Sequence, residues 1–115
     1  MRYILLIYSK EVPERRNYDA HWRLIAEAER RGVFVAAEPL EAPSGAATVH
    51  LENGRSFVSD GPFAETKEQL AGFYVLDCQS QEEALEWAAR VLAACGGTQK
   101  VEVRRMPGMG ARSSA

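Results

Sequence analysis

The stretch DGPFAETK, residues 60–67, lies near the middle of the 115-residue chain, and the segments on either side are arranged to hold it. Asp60 ends a predicted strand, and its short carboxylate can accept from N–H groups two residues on, while the Gly-Pro pair after it restricts the turn. Phe63 is expected as an apolar plug. Thr66 stands three residues before Gln69, the spacing of a capping box, which predicts one helical turn whose N–H groups could receive an anion. The alternative interpretation is a purely structural connection between two strands.

Upstream of this stretch, the pattern predicts a strand, a helix and a second strand. Residues 3–8 (YILLIY) are a short apolar run typical of a central strand buried on both faces. Residues 14–31 have helical periodicity, and Gly32 ends the helix. Residues 33–37 form the second strand. The predicted inward stripe of the helix consists of Tyr18, His21, Trp22, Leu24, Ile25 and Ala28.

A β-hairpin leads directly into Asp60. Residues 47–51 and 56–59 flank the sequence ENGR, and its Asn-Gly pair favours a two-residue type I′ turn. The register of this hairpin therefore determines where the Asp60 carboxylate points.

Downstream, residues 72–77 (GFYVLD) predict another strand that is apolar on both faces. Ser80 and Glu83 form a capping box for a helix that runs to about residue 94. Residues 101–105 alternate apolar and charged side chains and predict a closing strand. We expect the tail, residues 107–115, to be disordered. The inward stripe of the second helix consists of Ala84, Trp87, Ala88, Val91 and Cys95.

The order of these elements predicts one α+β domain, residues 1–106, with a ferredoxin-like split βαβ pattern and an inserted hairpin. The two helices would cover one face of an antiparallel sheet. Because residues 3–8 and 72–77 are apolar on both faces, the open face needs a second cover. The simplest cover is another copy of the chain, so we expect a homodimer through this face.

A family resemblance supports the same fold. Residues 48–78 (TVHLENGRSFVSDGPFAETKEQLAGFYVLDC) closely resemble the DGPF branch of the YCII-related proteins, which are small bacterial domains. The resemblance implies a dimeric α/β barrel, and it extends from residues 3–8 to residues 101–105. Few members of this branch have an assigned reaction, so it identifies a family better than an activity.

Composition argues against several classes of partner and site. A formal charge of −2 gives no reason to expect nucleic acid or an anionic membrane as partner. Cys78 and Cys95 lie outside any C-x-x-C motif and follow no signal peptide, which favours free thiols in the cytoplasm. Two isolated histidines predict no metal site, and the absence of a Gly-rich phosphate loop or nucleophile elbow leaves no cofactor to expect.

His21 is the foremost catalytic candidate, because a helical imidazole that faces the sheet is partly desolvated and titrates near neutral pH. The alternative is a core histidine bonded to a backbone carbonyl. The resemblance implies that His21 matches a first-helix histidine thought to form a catalytic dyad with an aspartate. Gly32 and Val33 stand where that acidic residue is usually found. Asp60 or Glu38 would therefore have to act as the acidic partner of His21.

Asp60 also has two interpretations: an acceptor in an Asx turn, or a site residue that orients His21 or binds a ligand. Tyr8, Glu38, Lys67 and Tyr74 are expected to line the same cavity.

Three functions are compatible with these residues. The first is acid/base catalysis on a small organic metabolite, of a lyase, isomerase or hydrolase type. The second is non-catalytic binding of a small molecule, in a regulatory module associated with sigma-factor-like transcription regulators, as the resemblance suggests. The third is a dimeric scaffold. An enclosed cavity that holds His21 and a carboxylate favours the first function, and a cavity without that pair favours the second.

Overall fold

The computed structural model describes residues 1–12, 17–64, 66–96 and 99–108. Within them, the main elements are six strands and two helices, with a short 3-10 turn at Pro43–Gly45. In chain order they are β1 (Arg2–Ser9), α1 (Asp19–Arg30), β2 (Phe34–Pro39), β3 (Ala47–Glu52), β4 (Arg55–Asp60), β5 (Gln69–Asp77), α2 (Gln81–Cys95) and β6 (Lys100–Met106).

Four strands form an antiparallel sheet in the order β2-β5-β1-β6. The two apolar runs recognised in the sequence, β1 and β5, are its central strands, and each pairs on both sides. Both helices pack on the same face of this sheet. The predicted ferredoxin-like α+β fold is therefore confirmed.

The core lies between the sheet and the helices. In β1, the side chains of Tyr3, Leu5 and Ile7 are buried, and in β5 Tyr74 and Leu76 pair with Leu5 and Tyr3 on the same face. The predicted stripe of α2 is buried from Ala84 to Val91. In α1, Leu24 and Ala28 are buried and Ile25 packs against the core, whereas Trp22 is 65% exposed. The expectation that Trp22 points inward is wrong.

The predicted helix ends are largely confirmed. Ser80 Oγ accepts from the Glu83 N–H at 3.2 Å, and Glu83 Oε2 accepts in return from the Gln79 N–H at 2.8 Å. α1 ends where predicted: the Gly32 N–H donates to the Glu29 carbonyl at 3.0 Å. It begins at Asp19, and the first residues of the predicted helix, 14–16, lie outside the described residues. The predicted disordered tail is described only at residues 107 and 108.

The hairpin β3-β4 is a separate two-stranded sheet. Asn53 and Gly54 both have positive φ, 51° and 76°, as a type I′ turn requires. Val49 pairs with Val58, and His50 pairs with Phe57. The predicted hairpin is confirmed, with each strand slightly longer than expected.

The turn after the hairpin differs from its prediction in two respects. Residues 66–68 form no helical turn, and β5 already begins at Gln69. The Thr66 hydroxyl instead donates to the Glu68 carbonyl at 2.5 Å. Phe63 is 87% exposed, so it plugs nothing within its own chain. The turn is held through Gly61, whose N–H donates to the Ala46 carbonyl at 2.6 Å.

The second face of the main sheet carries no helix. By register, Ile4 pairs with Val75 and Leu6 with Phe73 on this face. These side chains are half-buried, apart from Val75, which its neighbours bury almost fully. The chain measures 47 × 41 × 19 Å along its principal axes, the thickness of one sheet and one helix layer. No helix of the described residues is long and apolar enough to cross a membrane.

Candidate functional site

A pocket of about 780 Å³ opens between the N-terminal half of α1 and the end of the sheet where β2 meets β5. This volume is within the range of ligand-binding pockets. The first turns of α1 form one wall, and Ile7, Ala37 and Tyr74 contribute to the sheet side. The end of α2 closes the pocket with Ala94 and Cys95.

His21 lies in the first turn of α1 and lines this pocket. Its side chain is half-buried, and desolvation lowers the pKa of the imidazole from its ordinary value. Burial therefore favours the neutral form of His21. The predicted inward orientation of this histidine is confirmed.

The partner of His21 is Tyr74. The distance from His21 Nδ1 to the Tyr74 hydroxyl is 2.6 Å, and the two ring centroids lie 5.9 Å apart. Tyr74 is only 3% exposed, and its burial strongly raises the pKa of the phenol. The hydroxyl is therefore fully protonated at neutral pH. Either it donates to an unprotonated Nδ1, or it accepts from a protonated Nδ1.

No carboxylate takes the orienting position beside His21 among the described residues. Glu38 belongs to β2 at the pocket wall, but it pairs with Phe73, so its side chain lies on the opposite face of the sheet. Asp60 ends β4 in the separate hairpin, where it pairs with Ala47 and is exposed. It does not line the pocket. Among the described residues, the hydrogen bond of His21 goes to Tyr74 and to neither of these carboxylates.

Two further predicted ligand-binding residues lie away from the pocket. Tyr8 belongs to the open face of the sheet, where its hydroxyl donates to Glu102 Oε1 at 3.3 Å. Burial and then the Glu102 carboxylate raise the pKa of Tyr8. Lys67 is exposed in the connection before β5 and does not line the pocket. Of the four predicted ligand-binding residues, Tyr74 and Glu38 line the pocket with His21, whereas Tyr8 and Lys67 do not.

The structure adds two pocket residues that were not among the predicted site residues. Trp22 lines the pocket although most of its side chain is exposed, which places an indole at the opening. Gln99, just before β6, also lines the pocket, and its buried Oε1 has no hydrogen-bond partner among the described residues. Periodicity could not have indicated Gln99, because it lies in a connection.

The arrangement can orient a small molecule and exchange hydrogen bonds with it. Apolar walls cover its body, and the second nitrogen of His21 and the carbonyl of Gln99 supply polar contacts. No group of three metal-ligating side chains exists among the described residues. The histidines and cysteines described above therefore form no metal centre in that part of the chain.

Comparison with known proteins identifies a family and a similar protein. Residues 1–107 match the YCII-related domain. The chain is also 44% identical, over 99 residues, to an uncharacterized protein of Rhizobium meliloti (strain 1021). That alignment covers 84% of this chain and 77% of the relative.

Proposed function

Starting from the fact that the chain belongs to the YCII-related family, we propose that it binds a small organic molecule in the pocket between α1 and the β2-β5 edge. His21 and Tyr74 are the polar pair that orients this ligand, and the apolar walls cover the rest of it. Gln99 offers a buried acceptor to a donor group of the ligand.

The identity of the partner of His21 carries this proposal. A catalytic dyad needs a carboxylate behind the imidazole, because a negative charge stabilises the imidazolium that forms when the histidine takes a proton. Tyr74 is neutral and burial keeps it so, and burial also lowers the pKa of His21. Both effects favour a neutral hydrogen-bonding pair over a proton-transfer pair.

Acid/base catalysis is the second candidate, and one observation favours it. His21 Nδ1 is occupied by Tyr74, which leaves Nε2 available to the pocket. If Nδ1 carries the proton and donates to Tyr74, Nε2 has a lone pair and can act as a general base. A neutral His21 that carries its proton on Nε2 could not act as a base at that atom, so this tautomer would exclude the catalytic candidate. Nitrogen-15 shifts of the imidazole, measured at pH 7.5 or above, distinguish the tautomers directly.

Ligand screening tests the binding proposal. Saturation-transfer NMR with a fragment library of monocyclic aromatic and alicyclic alcohols and amides should identify compounds that bind. These compounds should also quench the fluorescence of Trp22, because Trp22 lines the pocket. His21→Phe should abolish their binding. The matched control is His50→Phe, because His50 stacks on Phe57 in the hairpin, away from the pocket. Equal loss of binding in both variants, or fragments that bind His21→Phe as well as wild type, would refute the proposal.

We further propose that the protein is a homodimer through the open face of the sheet. The apolar residues of this face, Ile4, Leu6, Phe73 and Val75, come from the two central strands, and no helix of the described chain covers them. Leu6→Lys would place a charge in the middle of this interface. Sedimentation velocity should show a wild-type dimer and a Leu6→Lys monomer. A wild-type monomer at micromolar concentration would contradict the proposal.

A further inference from the structure

One face of the β3-β4 hairpin is apolar and uncovered. Val49 and Leu51 of β3 and Val58 of β4 point to the same side, because Val49 pairs with Val58 and side chains alternate along each strand. Their side chains are 70%, 76% and 65% exposed. The opposite side is more protected, since His50 stacks on Phe57 and bonds to Ser59 at 2.7 Å.

The hairpin needs support that its own chain does not supply. An isolated two-stranded hairpin is marginally stable in water at best. The 19 Å thickness of the molecule leaves no room for the hairpin as a third layer on the sheet, since stacked sheets lie about 10 Å apart. The radius of gyration is 16.1 Å, whereas a compact chain of this length has about 13 Å. The hairpin therefore extends outward as an arm.

The open sheet face alone offers little area for a stable dimer. An aromatic side chain such as Phe73 has roughly 150–250 Å² to bury and an aliphatic one has less, and the apolar side chains of this face are already half-buried or more by their neighbours. Together they offer on the order of 300 Å² per copy, against about 800 Å² in a standard interface. Further exposed apolar surface is available on and after the hairpin, at Val49, Leu51, Val58 and Phe63.

We propose that the hairpin is a dimerisation arm, whose apolar face of Val49, Leu51 and Val58 packs on a second copy of this chain. The inference rests on the proposed homodimer and extends its interface beyond the sheet. Because the interface of a two-fold dimer is symmetric, each contact of the arm occurs twice in the dimer.

Sedimentation velocity over a dilution series tests the arm. The variant Val49→Thr/Leu51→Thr/Val58→Thr has a β-branched side chain at each of the three positions, which suits a strand, and removes apolar surface. We expect it to raise the dimer dissociation constant at least about tenfold. The control is Leu85→Gln/Leu92→Gln, which removes two exposed leucines from α2. It should leave the constant unchanged.

Hydrogen exchange of the amides provides a second test, which does not depend on whether the triple variant still forms its hairpin. In the monomeric Leu6→Lys variant, amides of β3 and β4 should lose their protection, while amides of β1 and β5 keep theirs. Hairpin protection equal to that of the wild-type dimer would overturn the arm. A wild-type dimer with an unchanged constant in the triple variant would overturn the arm and leave the sheet-face dimer standing. A wild-type monomer would overturn both.

Discussion

The hydrogen bond between His21 and Tyr74 can be tested by removing a single oxygen atom. Tyr74→Phe deletes the hydroxyl that lies 2.6 Å from His21 Nδ1 and keeps the buried ring. The substitution therefore changes the polar pair of the pocket without opening a large cavity in the core.

The expected cost follows from the burial of the two partners. A hydrogen bond contributes about 0.5–1.5 kcal/mol net, and an unpaired buried group costs about 1–3 kcal/mol. His21 is only half-buried, so water can replace part of the lost contact, and the lower values apply. We expect a loss of about 1–2 kcal/mol in the free energy of unfolding. For a chain of this length, each kcal/mol lowers Tm by about 4 °C.

Urea unfolding followed by circular dichroism measures this loss, and Tyr3→Phe is the matched control. Tyr3 is 4% exposed on the same face of the neighbouring strand. Its hydroxyl makes no hydrogen bond to a described residue. A double-mutant cycle with His21→Phe isolates the pairwise contribution, which should be about 1 kcal/mol. If Tyr74→Phe costs no more than Tyr3→Phe, or the coupling is zero, the pair does not hold His21.

The remaining predictions concern protonation and the hairpin. Since burial lowers the pKa of His21 in the folded state, the unfolded chain binds more protons, and stability should fall as the pH decreases from about 6.5 towards the folded pKa. Urea midpoints between pH 5 and 8 should lose this slope in His21→Phe and keep it in His50→Phe. NMR titration of His21 should be unchanged by Asp60→Asn and Glu38→Gln, because His21 bonds to Tyr74 and to neither carboxylate among the described residues; a shift of the His21 pKa in either variant would support a histidine–carboxylate dyad. Gly54→Val should lower the free energy of unfolding by about 1–2 kcal/mol, because Gly54 has a φ of 76°, which a side chain disfavours. A Cβ at this position would meet no atom within 4 Å, so the cost comes from the backbone and not from a clash. Hydrogen exchange should show faster exchange in β3 and β4, and unchanged exchange there would contradict the type I′ turn.

The fold was largely predictable because its signals are local. The apolar runs of β1 and β5, the capping box at Ser80 and the Asn-Gly turn each determine a local structure through backbone geometry or solvent exclusion. The errors occurred where a local signal had no tertiary support. Thr66 has the spacing of a capping box, but β5 starts at Gln69 and pairs with Ser9, so the sheet prevails over the helical turn.

The candidate site was predictable only in part. Helical periodicity placed His21 on the inner face of α1, which is correct. Its partner depends on which strand residue lies opposite, and that follows from the register between strands. Tyr74 pairs with Leu5 and Ala37 on the helix face, whereas Glu38, one residue further along β2, falls on the other face. A shift of one residue therefore decides whether a phenol or a carboxylate meets the imidazole.

The DGPF stretch that characterises the sequence lies outside the pocket, and this separation constrains its role. Asp60 and Phe63 follow the hairpin, while His21 and Tyr74 lie between α1 and β5. Because the two regions lie apart, substitutions in the stretch and in the pocket should change the free energy of unfolding additively. Phe63, which is 87% exposed, is therefore available to the second copy that we propose to contact the hairpin.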